Sequence, residues 1–236
     1  MIRIIIQPYE KPGRARSRRR DYCNPRARPG SFIRPCKGGA KFMTGDDRPD
    51  MIRAFIAAGI SDEVRGRMGQ LLGKLRRTES GVKWSRLNSI HLTLRFLGNI
   101  FASQVDVAAE AMAEAVMGMG PVTVEVAGWG TFPEGKRPRV IWLGIQKGAP
   151  GLQEIFEGLE KALIARGLGP ADKKFSPHLT LGRVKTGERL NQALRVMESE
   201  ARASFGQYEV DRIFLIQSRL NPAGAEYTVL REARLG

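Results

Sequence analysis

Histidine is almost missing from this chain: there are two in 236 residues. Cysteine is equally scarce, and Cys23 and Cys36 both lie near the start. No disulfide can therefore hold the chain from Met51 onward, a composition that suits a reducing cytoplasm. A lone cysteine pair with no histidine nearby is a poor zinc site. No apolar run approaches the ~20 residues of a membrane span, so no membrane association is expected. The opening "MIRIIIQPYE" is too short in its apolar part to serve as a secretory signal, and basic residues follow it. Acidic residues are in deficit, 24 Asp+Glu against 39 Lys+Arg, for a formal net charge of +15. That excess favours a polyanionic partner such as nucleic acid.

The charge is unevenly placed. Residues 1–50 hold 13 Lys+Arg against 5 Asp+Glu, six of the 13 prolines and the run "RARSRRR". Beyond "IRIII" they show no apolar periodicity, which is the composition of a disordered extension without a catalytic part. From Met51 the pattern becomes regular. "IRAFIAA" (52–58) reads as a strand, and Ser61 is a good N-cap for a helix carrying Val64, Met68, Leu71, Leu72 and Leu75. The strand "IHLTLRFL" (90–97), an Ala-rich helix over 102–117 and the strand "VTVEVAGWGTF" (122–132) follow. The order then repeats. "RVIWLGI" (139–145) is a strand, Leu152 to Leu163 mark a helix ending at Gly167, and "HLTLGRV" (178–184) is a strand. A helix around Leu190–Met197 and strands over 208–218 and 226–233 complete the chain.

Both histidines open the same tetrapeptide, "HLTL", at His91 and His178. Arg53 to His91 is 38 positions and Arg139 to His178 is 39. The period near 87 residues is too long for a solenoid and indicates duplication, with repeats over about 51–133 and 138–236. Two similar lobes related by an approximate twofold are expected. Side chains alternate along a strand. In each HLTL the leucines therefore share one face, to be buried against a helix, while His and Thr share the other. A twofold brings both His/Thr faces to one cleft.

Two imidazoles suit acid–base chemistry at phosphorus. Their ordinary pKa of about 6.5 lets one be free base and the other protonated near neutral pH. Thr93 and Thr180 can donate to non-bridging phosphate oxygens. Two histidines without a cluster of carboxylates or thiolates are an incomplete metal-ligand set, so neither metal nor cofactor is expected. By the same alternation Arg95 falls with His91 and Thr93, where it either reaches a phosphate at the cleft rim or is a solvated strand-end arginine. Ser176 shares the parity of His178 and Thr180, and Gly182 leaves room beside them. Phe132, Trp142 and Phe175 are aromatic candidates for stacking a base, with core packing as the stronger reading. "PEGKRPR" (133–139) is a basic loop that either tracks an RNA backbone or is a solvated turn.

"HLTLRFLG" and "FSPHLTLGRVK" resemble the paired His-x-Thr-x motifs of the 2H phosphoesterases, in particular the RNA 2′,3′-cyclic phosphodiesterases, also called 2′-5′ RNA ligases. The resemblance covers Met51 to the C-terminus. It implies an α+β fold of two lobes, with antiparallel sheets lining a basic cleft and helices outside. It implies hydrolysis of RNA 2′,3′-cyclic phosphate ends to 2′-phosphomonoesters. His91 then carries over as the proton donor to the departing 3′ oxygen, and His178 as the proton acceptor that activates water. Thr93 and Thr180 carry over as phosphate ligands. From the pattern alone the two histidine roles are interchangeable. Reversible 2′-5′ joining, or action on another cyclic phosphate, uses the same residues. A non-catalytic RNA-binding protein is the reading from a different class, and it has no need of two imidazoles. A duplicated site in one chain does not require a dimer.

Overall fold

The computed structural model describes residues 50–135, 137–221 and 224–236. The basic extension, with both cysteines, and Lys136 of the basic loop lie outside the described residues. Strand β1 (Met51–Ala58) leads into helix α1 (Asp62–Arg76). Ser61 caps that helix by accepting from the Val64 amide. Asp62 and Glu63 sit in its first turn and Lys74 and Arg76 in its last, each sign at the end where the helix dipole favours it. A short strand β2 (Val82–Trp84) and a 3-10 turn (Leu87–Ser89) precede β3 (Leu92–Phe101). The Ala-rich helix begins as a 3-10 turn and continues as α2 (Val105–Val116). Then come β4 (Val122–Phe132), β5 (Val140–Lys147), α3 (Ala149–Ala165), β6 (His178–Val184) and α4 (Leu190–Ser199). The chain closes with β7 (Ser204–Val210), β8 (Arg212–Asn221) and β9 (Gly224–Arg234).

The expected single strand over 208–218 is in fact two, broken at Asp211. The break matters because the chain changes sheets there. One antiparallel sheet has the order β3-β1-β8-β9 and the other β2-β6-β5-β4-β7. Each sheet therefore takes strands from both halves of the sequence. The HLTL strands β3 and β6 each pair with the first strand of their own half, β1 and β5. Helices exchange too: α1 leaves the first sheet and packs on β7 and α4, while α3 packs with α2 and against β3. One apolar core runs beneath both sheets, and the helices cover it. Ala54, Ile56, Leu92, Leu94, Ile141, Leu143, Leu179 and Leu181 all turn into it. The opposite face of the first sheet carries Phe55, Ala57, Phe214, Ile216 and Val229. The site lies on this helix-free side.

Candidate functional site

His91 immediately precedes β3 and His178 is the first residue of β6. The segments that deliver them have the same local geometry. His91 Nδ1 bonds the Ser89 carbonyl at 3.0 Å, and His178 Nδ1 bonds the Ser176 carbonyl at 2.7 Å. A carbonyl only accepts, so each Nδ1 carries the proton and each neutral ring keeps its lone pair on Nε2. The shared pattern Ser-x-His was readable in "NSIHLTL" and "FSPHLTL", but alternation alone drew attention only to Ser176.

Aromatic rings hold both imidazoles. Phe55 stacks on His91 with centroids 4.5 Å apart, and Tyr227 meets its edge at 5.2 Å. Phe132 meets His178 at 5.0 Å, edge-on, and Trp142 lies 6.1 Å away. Phe132 and Trp142 thus line the site, whereas Phe175 stacks on Phe156 against the core. Trp142 lies flat over Gly130, where a Cβ would come within 2.3 Å of the indole. Burial, reinforced by the charge of His178, pulls His91 from 6.5 to about 4, against the opposing pull of the Ser89 carbonyl. Burial also lowers His178, and Arg183 adds to the effect. The charge of His178 is thus felt at His91 across the gap between the sheets. Burial raises Tyr227, and Arg183 and Arg53 pull it back. Arg183 on one sheet thus acts on Tyr227 of the other, which puts its charge in the cleft.

Thr93 pairs with Ala57 and Thr180 with Trp142, so both threonines sit on the histidine side of their sheets. Arg95 does not. The register steps from Ala57↔Thr93 to Ile56↔Arg95, which leaves Leu94 as an extra residue in a β-bulge. Parity inverts there, and Arg95 turns to the helix side with 5% of its surface exposed. Its guanidinium donates to Glu160 of α3, to the Phe96 carbonyl and, at 2.8 Å, to the Gly169 carbonyl. Glu160 also accepts from the Ala171 amide at 2.9 Å. Arg95 is therefore a buried clamp on the connection that leads to His178, not a rim residue.

The same bulge recurs in the second copy, between Trp142↔Thr180 and Ile141↔Gly182. Gly182 consequently gives space to Trp84 and Val82 of β2, each under 3 Å from a hypothetical Cβ, and not to the cleft. The residue after each bulge returns to the cleft side: Phe96, 59% exposed, in the first copy and Arg183, also exposed, in the second. Arg183 was missed because strict alternation assigns it to the wrong face. Phe96 lies 5.9 Å from Phe55, which extends an aromatic strip from Tyr227 past His91. Among the described residues no group of three or more His, Cys, Asp or Glu side chains is placed to hold a metal ion.

Two successive matches to the family model described as LigT-like phosphoesterase span residues 59–142 and 143–227, well over half of the chain. The chain belongs to the LigT-like phosphoesterase family. An RNA 2′,3′-cyclic phosphodiesterase of Aquifex aeolicus is 36% identical over 189 residues, 79% of this chain and 98% of the relative. One from Thermotoga maritima is 32% identical over 187 residues, 78% and 95% of the two chains. A Thermus thermophilus protein of solved structure superposes with a TM-score of 0.66 at 28% identity, covering 78% of this chain and 98% of its own. Escherichia coli LigT in complex with 3′-AMP gives a TM-score of 0.61 at 23% identity over 78% and 98%, a likeness of fold. No helix among the described residues is long and apolar enough to cross a membrane.

Proposed function

We propose that this phosphoesterase hydrolyses RNA 2′,3′-cyclic phosphate ends to 2′-phosphomonoesters by two-histidine acid–base catalysis. The observation that carries the reading is the matched pair of imidazoles. Each is held through Nδ1 by a carbonyl two residues upstream, each leaves Nε2 free, and the charge of His178 reaches His91. The names borne by relatives that match nearly their full length support the substrate class.

In the proposed step His178 Nε2 takes a proton from water as its oxygen bonds to phosphorus. The bond from phosphorus to the 3′ oxygen breaks, and His91 gives that oxygen a proton from Nε2. The 2′ ester remains. Each such group contributes roughly 10²–10⁴-fold. The Thr93 and Thr180 hydroxyls donate to the non-bridging oxygens, and Arg183 neutralises charge gathering there. The strip of Tyr227, Phe55 and Phe96 lies beside His91, a surface suited to a nucleoside on the leaving-group side. His91 is held near 4 in the free protein, so its proton arrives with the anionic substrate, which stabilises the imidazolium. Proton uptake on binding a 2′-phosphorylated RNA end, read as buffer-dependent heat in calorimetry, tests this. Heat independent of buffer would refute it.

Joining is the same chemistry with an RNA 5′-hydroxyl in place of water: its oxygen bonds to the phosphorus of the 2′,3′-cyclic end, the bond to the 3′ oxygen breaks, and a 2′-5′ linkage remains. A purely RNA-binding role leaves the two free Nε2 atoms without use.

A further inference from the structure

We propose that Lys83, held opposite Arg183, is the subsite for a second phosphate, the next one along the RNA chain from the reacting cyclic ester that Arg183 serves. The inference rests on the function proposed above and narrows its substrate to an oligonucleotide. In the register of β2 on β6, Lys83 stands directly opposite Arg183. Arg183 is in turn opposite Val140, on the same face of β5 as Trp142, so both cations project on the histidine side of the sheet. Their neighbours Val82, Trp84 and Gly182 turn the other way, as the contacts around Gly182 show.

Like charges placed directly opposite on adjacent strands destabilise a sheet. Here no acidic side chain offsets them: neither Lys83 nor Arg183 makes an ion pair among the described residues. Both are exposed. A repulsive pair held open beside a phosphate-handling cleft is what a bound phosphodiester would relieve. The position fits. Arg183 lies three residues beyond Thr180 with one step taken up by the bulge, so at about 3.3 Å per residue the pair begins roughly 7–10 Å along the strand from the threonine. Arg183 then faces the reacting phosphate, and Lys83, one strand farther out, faces the next. The strand β2 is three residues long and at the edge of its sheet, which leaves the RNA an open path outward.

The test compares adenosine 2′,3′-cyclic monophosphate, which has no second phosphate, with a trinucleotide ending in a 2′,3′-cyclic phosphate. A third substrate is the same trinucleotide with an uncharged methylphosphonate in the linkage nearest the end. Lys83→Ala should lower kcat/KM on the charged trinucleotide about three- to tenfold. It should leave the mononucleotide and the methylphosphonate within twofold. The slope of log kcat/KM against log salt should flatten by about 0.7, the share of one phosphate contact to a single strand. Lys83→Thr should retain or raise Tm, since it removes a repulsion. An equal loss on all three substrates, or no loss on any, overturns the subsite while the proposed reaction stands. Failure of the wild-type protein to open any of the three esters overturns the reaction itself.

Discussion

The depressed imidazole of His91 has a consequence for folding that can be measured without substrate. Burial among Phe55, Tyr227 and the sheet, with the nearby charge of His178, lowers it from 6.5 to about 4. That difference is worth roughly 3 kcal/mol between the charged and neutral ring. Above pH 6.5 the ring is neutral in both folded and unfolded chains and contributes no pH dependence. Below 6.5 the unfolded chain binds a proton that the folded chain refuses until about pH 4. Stability is therefore lost as pH falls through this window, by roughly 2.5 kcal/mol at pH 4.5. Against the 5–15 kcal/mol typical of a domain, that is large. Urea unfolding of the wild type and of His91→Phe at pH 7 and pH 4.5 isolates it, because His178, Glu125 and Asp211 titrate in both proteins. The phenylalanine variant should lose about 2.5 kcal/mol less on acidification than the wild type. Equal losses in the two proteins would refute the claim that the half-buried His91 is held neutral.

Three further outcomes follow from the same geometry. Because both imidazoles lie below their ordinary pKa in the free protein, kcat/KM should trace a bell with its maximum between about pH 4 and 6.5, and kcat should peak at higher pH once bound phosphate raises His91; a kcat/KM maximum at pH 8 would contradict this. Arg95→Met leaves Glu160 without its guanidinium and should cost about 3 kcal/mol in urea unfolding, with kcat falling as the His178 connection loosens and KM little changed; a rise in KM with stability intact would return Arg95 to the cleft rim. Gly182→Ala forces a Cβ against Trp84 and Val82 and should destabilise by about 1–3 kcal/mol, visible as a lower Tm.

Much of this was legible in the sequence because the determining patterns are local. Ser61 announces its helix by chemistry at one position, and the leucines of both HLTL copies announce a buried face by alternation. The exchange of strands between halves was not legible, because pairing between β1 and β8 depends on residues more than 150 positions apart. Nor was the break at Asp211, where the alternation of 208–211 leads straight into the apolar stretch 213–216 while the chain changes sheets. The error at Arg95 has a physical cause of its own. A bulge adds one residue without any composition to mark it, and every later side chain changes face. The two copies differ at this point, where Arg95 is matched by Gly182 and Phe96 by the cation Arg183, so neither copy alone marks the bulge in the other.

The central claim is that His91 and His178 together open a cyclic phosphate at an RNA end. The most direct measurement offers the chelator-treated protein an oligonucleotide with a 2′,3′-cyclic phosphate and identifies the product and its rate. The account predicts a terminal 2′-phosphate, with turnover reduced by about 10²-fold or more in His91→Ala and in His178→Ala while RNA binding persists. Full turnover in either variant, or a 3′-phosphate product, would contradict it.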